Sequence, residues 1–496
     1  TLVIECSLRL NIFVGSTLLD LYAKMGNINN ARNVFSSMKL CNTVSWSSMI
    51  AGLVQCSLDD DAFEAFHQMQ HEGVELNEVT FVNILRSCSG LADFGKVQKL
   101  HAQILEGGFE YLVVSNALID AYAKCRSMTY AHLVFDCMVD KNVISWTTLI
   151  LGYAHHGWID DSLNLFWKME EDGVKPNHVT FSVVLKLCSC ERLLDLGKKI
   201  HASILRSKID DCVSTGNCLI DMYIKCGDIE NARLVFGRMK TRDVISWSGM
   251  IGGYAQLTEP DEAFELFKQM LDEEVKPNEV TYIYLLQACA NLATLEQGRR
   301  IHGFIVSDAL EIYLFLGNTL IDMYCKGGTV KDAHKVFNGM LKRDLISWNA
   351  LLAGYCQHGH ASEAFELFQK MSQEPLNLDH VTFLSLLSVC RHVGLVEEGR
   401  HYFDMMTHTH HIKPNGEHCA CMVDLLGRAG CLQEALLLIY KLSNDSVMVW
   451  MALLGACRIS ANIHIAEIAA ESILKLAPEN TAACVMLSNI YAATGR

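Results

Sequence analysis

Apolar residues recur along the chain at i, i+3, i+4 and i+7 in stretches of about a dozen positions, the spacing of one buried helix face. SWSGMIGGYAQL (246–257) followed by PDEAFELFKQML (260–271) is typical. Each stretch predicts an amphipathic helix, and the glycine and polar residues between two stretches predict a tight turn, so the unit is a helix hairpin. Small residues such as Gly252, Gly253 and Ala255 on the first helix predict close approach to a neighbour. A lone hairpin cannot bury its apolar face and must stack on others of its kind. The expected fold is therefore all-α, an α-solenoid of stacked helix-hairpin repeats.

The hairpins come in a composite period. NTVSWSSMIAGLVQCS (42–57), NVISWTTLILGYAHHG (142–157), DVISWSGMIGGYAQLT (243–258) and DLISWNALLAGYCQHG (344–359) are versions of one phrase. Trp46, Trp146, Trp247, Trp348 and Trp450 are separated by 100, 101, 101 and 102 residues, too long for one hairpin. Three sub-phrases divide the period into units of 35, 34 or 35, and 31 residues. The boundaries are 12–42, 43–77, 78–111, 112–142, 143–177, 178–212, 213–243, 244–278, 279–313, 314–344, 345–379, 380–414 and 415–446, so that residues 1–446 are tandem repeats and 447–496 a different segment.

Composition narrows the function classes. Of 496 residues 50% are hydrophobic and 20% charged, with 6 prolines, and no run of 18 or more residues is apolar, against disordered linkers and membrane helices. The opening TLVIECSLRL lies within a repeat, so a targeting leader is expected upstream. Twenty cysteines include no CxxC pair. Cys88, Cys188, Cys289 and Cys390 recur at spacings of 100, 101 and 101 at the end of apolar helix faces, which predicts packing rather than metal ligation. His101, His201 and His302 each follow one of those cysteines by 13 residues, and this recurrence predicts hydrogen bonding or packing, not a metal site.

The phrases VxSWxxLIxGY, GxKPN, GxxIHxxI, GNxLIDMYxKCG and ARxVFxxM occur in order several times. They resemble the pentatricopeptide repeat family, in the plant organellar subclass whose repeats alternate between P, L and S types. MVDLLGRAG (422–430) resembles its last short motif, VWMALLGACR (449–458) the extension motif that follows, and NTAACVMLSNIYAATGR (480–496) the start of that extension's second half. The resemblance implies a right-handed superhelix that binds single-stranded RNA at one base per repeat, as a monomer in a mitochondrion or chloroplast. Val44, Ile144, Ile245 and Ile346, second in their units, would sandwich bases.

In that family the fifth and last residues of a unit face one base together. Ser or Thr at five favours purines and Asn pyrimidines. A final carboxylate only accepts hydrogen bonds and suits uracil or guanine, whereas an amide suits adenine or cytosine. Ser16 with Asn42, Ser47 with Asn77, Thr147 with Asn177 and Ser248 with Asn278 then read adenine, and Asn116 with Asn142 a pyrimidine. Asn217 with Asp243, Asn318 with Asp344 and Asn349 with Asp379 read uracil. Val82 with Tyr111, Ser182 with Cys212, Ile283 with Tyr313 and Leu384 with Pro414 depart from the pattern and count as spacers. The implied target is 5′-AA-N-YA-N-UA-N-UU-3′. The same final Asn and Asp residues also suit helix N-caps.

A net charge of −15 opposes RNA binding, which ordinarily has a phosphate component. Much of the acid, at Asp59, Asp60, Asp61, Asp160, Asp161, Asp261 and Glu262, falls where second helices begin and complements their dipoles. Lys24, Lys124, Lys225 and Lys326 recur at spacings of 100, 101 and 101 and form a candidate phosphate stripe. No catalytic residue, cofactor or metal site is expected: a zinc deaminase needs HxE followed by PCxxC, and neither occurs. The leading reading is an adaptor that selects the site of cytidine-to-uridine editing, its extension motif docking editing cofactors or a deaminase that is a separate protein or lies past Arg496. The alternatives are transcript stabilisation or splicing without editing, and a tetratricopeptide-like scaffold gripping peptides.

Overall fold

In the computed structural model, which describes residues 12–38, 40–207, 212–257, 260–308, 310, 313–442 and 446–493, all regular structure among the described residues is helical. The chain divides into two compact units, residues 1–246 and 247–496. In the first, helix pairs follow one another from Ile12–Lys24 with Ile28–Ser37, through Thr43–Gln55 with Asp59–His71, to Val213–Lys225 with Ile229–Arg238. The second continues from Pro260–Asp272 to Thr481–Ala493 in the same alternation. Within each unit the first helix of a pair packs on the first helix of the next pair, Thr43–Gln55 on Glu78–Leu91 and Glu279–Leu292 on Leu314–Lys326. This is an α-solenoid.

The repeated tryptophan explains how one hairpin grips the next. Trp46, Trp146 and Trp247 are each 1% exposed, and Trp348 and Trp450 are buried. The ring of Trp46 meets Phe35 of the preceding second helix edge-on at 4.6 Å, Trp146 meets Phe135 at 4.7 Å, and Trp348 meets Phe337 at 4.8 Å. The Cys88, Cys188, Cys289 and Cys390 thiols are buried, and burial pushes those of Cys88, Cys188 and Cys390 up to about 12, as inert packing groups. His101, His201 and His302 place Nδ1 2.8–2.9 Å from the hydroxyls of Tyr122, Tyr223 and Tyr324 on the next first helix.

Close helix approach depends on small residues. A Cβ on Gly252 would lie 2.7 Å from the Tyr284 ring, and one on Gly427 would lie 2.2 Å from the Ala456 Cβ. A ring can turn aside; an alanine methyl cannot. Gly427→Val should therefore destabilise the second unit by about 1–3 kcal/mol through overpacking, seen as a lower denaturation midpoint at unchanged m-value, whereas Gly430→Ala, at a φ of +80° with open space around it, acts through backbone strain alone.

Candidate nucleic-acid interface

The candidate selector residues lie at the N-terminal turns of the first helices, where one cap arrangement repeats. Asn42, Asn77, Asn142, Asn177, Asp243, Asn278, Asp344 and Asp379 each accept the backbone N–H three residues on through Oδ1, at 2.9–3.1 Å. The residue giving that N–H is always Ser or Thr, and its hydroxyl lies 2.8–3.1 Å from the same Oδ1. The final residues of these units are thus helix N-caps. Capping uses Oδ1, and the other terminal atom of each side chain is left over.

Fifth residues arrive from the preceding first helix. Asn217, Asn318 and Asn349 donate through Nδ2 to Oδ1 of Asp243, Asp344 and Asp379 at 3.1, 3.3 and 3.0 Å. Ser47 lies 3.4 Å from Asn77 Oδ1 and 2.8 Å from the Thr80 hydroxyl. Ser16, Thr147 and Ser248 bond to the hydroxyls of Ser45, Thr180 and Thr281 at 2.9, 2.7 and 2.7 Å, and so reach the caps Asn42, Asn177 and Asn278 indirectly. Only Asn116 makes no such bond among the described residues, and its Oδ1 is buried without a partner. The sequence pairs are therefore adjacent in space at seven of the eight units.

Burial pushes the carboxyls of Asp243, Asp344 and Asp379 upward, but the capped N–H groups, the asparagine amides and the serine or threonine hydroxyls outweigh it and hold all three below the usual carboxylate range. They remain acceptors at neutral pH. On the same helix face, Val44, Ile144, Ile245 and Ile346 stand out at 55–60% exposure. The resemblance implies these four as second in their units, and Phe13, Val79, Val113, Val179, Val280, Phe315 and Val381 occupy the same place in other units and are also exposed.

Two other expectations meet a different environment. Lys24, Lys124, Lys225 and Lys326 are exposed, but each pairs with an aspartate four residues earlier, Asp20, Asp120, Asp221 or Asp322, at 2.7–2.9 Å. Each lysine charge is therefore offset by one carboxylate. Among the spacers, Tyr111, Cys212 and Tyr313 precede their helices with no side-chain cap. Leu384 is not paired with Pro414 at a helix start: the cap there is Asn415, because a π-helical turn at Met405–Thr409 takes up an additional residue. Among the described residues, no group of three or more His, Cys, Asp or Glu side chains is arranged to hold a metal ion, and no helix is long and apolar enough to cross a membrane.

A maize protein, PPR10, matches the structure with a TM-score of 0.64 at 18% identity over 98% of this chain and 77% of its own. PPR10 in complex with an 18-nt psaJ RNA element matches at 0.62 and 18%, over 93% and 74%. At such identity the likeness establishes the fold. In sequence, a chloroplastic pentatricopeptide repeat-containing protein of Arabidopsis thaliana is 36% identical over 99% of this chain, which spans 61% of that relative's length. Two others from the same plant are 36% and 34% identical over 99% and 98% of this chain, which spans 70% and 87% of them. The PPR repeat family profile matches residues 41–90, 141–190, 242–291 and 343–392, and a PPR repeat profile matches 16–43, 113–143, 217–244 and 381–408. With these matches covering more than half its length, the chain belongs to the PPR repeat family.

Proposed function

We propose that this chain is a sequence-specific adaptor for single-stranded RNA in a plant organelle, in keeping with a relative named chloroplastic and a fold neighbour named with bound RNA. The observation that carries the reading is one helix face on which an exposed apolar residue stands beside a half-used polar pair, hairpin after hairpin. Val44, Ile144, Ile245 and Ile346 supply sequence-tolerant contact to base faces. The selector pairs supply choice: Asp243, Asp344 and Asp379 keep Oδ2 as an acceptor for a ring N–H, whereas Asn42, Asn77, Asn177 and Asn278 keep Nδ2 as a donor to a ring nitrogen. Lys24, Lys124, Lys225 and Lys326 touch phosphate through protons not used by their aspartates. With each lysine charge offset by its aspartate, affinity depends on salt only weakly.

The test is binding of 5′-AANYANUANUU-3′ by fluorescence anisotropy. It should bind about tenfold or more tightly than an oligonucleotide with its A and U letters exchanged, with a shallow salt slope. Equal affinity for the two would overturn the reading. We assign the finer role, selecting a cytidine for editing, from the resemblance of residues 447–496 to an extension motif, with the deaminase chemistry belonging to a partner or to sequence beyond Arg496. A plant lacking the protein should lose conversion at a single organellar cytidine; loss of a transcript end or of a splice product instead would favour stabilisation or splicing.

A further inference from the structure

The selector pairs are wired to a third side chain that the spacing did not single out. It is the hydroxyl three residues beyond the cap, on the first helix of the following hairpin. In the unit read by Ser248 and Asn278, this residue is Thr281, fully buried. Asn278 Oδ1 accepts the Thr281 N–H at 3.0 Å and lies 3.0 Å from its hydroxyl. The same hydroxyl lies 2.7 Å from Ser248 Oγ and accepts the Asn278 N–H at 3.2 Å. Thr80 likewise bridges Ser47 and Asn77, and Thr382 bridges Asn349 and Asp379, in both cases without the return bond from the cap N–H.

This wiring fixes what the selector shows to solvent. If the Asn278 amide were turned over, Nδ2 would face the Thr281 N–H donor against donor, and only the Thr281 hydroxyl could turn to accept it, so the cap bond itself would be lost. Oδ1 is thus turned inward and Nδ2 outward. The sign of the reading follows: Asn in the capping place presents a donor, and Asp in the same place, with one oxygen spent on the cap, presents an acceptor. We infer that the buried hydroxyl at this position is a positioning residue for base selection, which ties the fifth residue to the cap side chain, whose amide the backbone N–H orients, and so holds the pair in one geometry. This rests on the RNA-reading function proposed above. A consequence is that a repeat does not read alone, because the lock belongs to its successor.

The experiment replaces Thr281 with valine, equal in shape but without the hydroxyl, and measures binding to four oligonucleotides that differ at the eighth letter of the target and to a fifth that is abasic there. The parent should prefer adenine. Thr281→Val should cut that preference by roughly fivefold to tenfold, the effect of one lost hydrogen bond on each selector, while affinity for the abasic strand stays unchanged. Thr281→Ser should restore the preference. A Thr281→Val protein that keeps its full preference, or loses abasic and adenine binding equally, overturns the inference. Should it not fold, Thr382→Val, which removes the hydroxyl bonded to both Asn349 and Asp379, carries the same test at the eleventh letter, where the parent should prefer uracil. An Asn278→Asp arm separates the two levels. If that change leaves the parent's preference in place, the proposed code itself fails; if it moves it while Thr281→Val has no effect, only the positioning role fails.

Discussion

Exchanging Asn217 for Ser and Asp243 for Asn should turn the seventh letter of the preferred RNA from uracil to adenine. Both positions lie in one hydrogen-bonded cluster, with Asn217 Nδ2 3.1 Å from Asp243 Oδ1 and the Ser246 hydroxyl 2.6 Å from Asn217 Oδ1. The doubly substituted cluster would have the chemistry already present at Ser248, Asn278 and Thr281, where hydroxyl meets hydroxyl at 2.7 Å. Backbone and cap are kept, since Asn caps this helix type elsewhere. What changes is the exposed edge, from an acceptor to a donor. A mispaired edge leaves a desolvated polar group unsatisfied, at about 1–3 kcal/mol, so the preference should swing by roughly fivefold to a hundredfold in each direction. Competition binding with the four seventh-letter oligonucleotides reads it. Asp243→Asn alone should do less, because it sets an amide against the Asn217 amide, the combination of Asn116 with Asn142, where Asn116 makes no bond to the cap and its Oδ1 is left without a partner. If the double exchange binds the uracil strand as before, this pair does not face a base.

The fold was legible because helical periodicity and a strict tryptophan spacing are properties of the chain itself: a face that recurs at 3.6 residues and a hairpin that recurs along the sequence leave stacking as the way to bury both. The selector pairs were legible only as positions. That Asn217 would touch Asp243 depends on the next hairpin bringing its cap alongside, which a one-dimensional reading does not contain. The buried hydroxyls were visible in principle, since Asn77-Glu-Val-Thr80 and Asn42-Thr-Val-Ser45 have the form of a capping box. The lysine stripe shows the opposite fault. Asp20 with Lys24 and Asp120 with Lys124 stand at i, i+4, a spacing that predicts an ion pair on any helix, and only the lysines had been weighed. At Pro414 the repeat length itself misled, because a π-helical turn adds a residue without altering the apolar pattern.

Trp146→Ala should produce the largest loss of stability in the first unit. The indole is 1% exposed and meets Phe135 edge-on at 4.7 Å and 75°, so truncation empties a site walled by two rigid hairpins. Loss of a buried aromatic ring with partial collapse of its cavity costs about 3–5 kcal/mol. Over residues 1–246 this corresponds to a fall of roughly 10 °C in the melting temperature. Trp146→Phe should cost much less. The Nε1 of Trp146, like that of Trp46, is buried without a hydrogen-bond partner, so phenylalanine gives up volume and no bond. In a stacked repeat each hairpin contacts its neighbours, and damage stays local. Hydrogen exchange should therefore quicken first in Met128–Cys137 and Val143–His155, the two helices that the ring joins. Uniform quickening across residues 1–246 would mean the unit melts as a single block, and equal loss from Trp146→Phe would mean that the full width of the indole, not an aromatic ring as such, holds the two hairpins together.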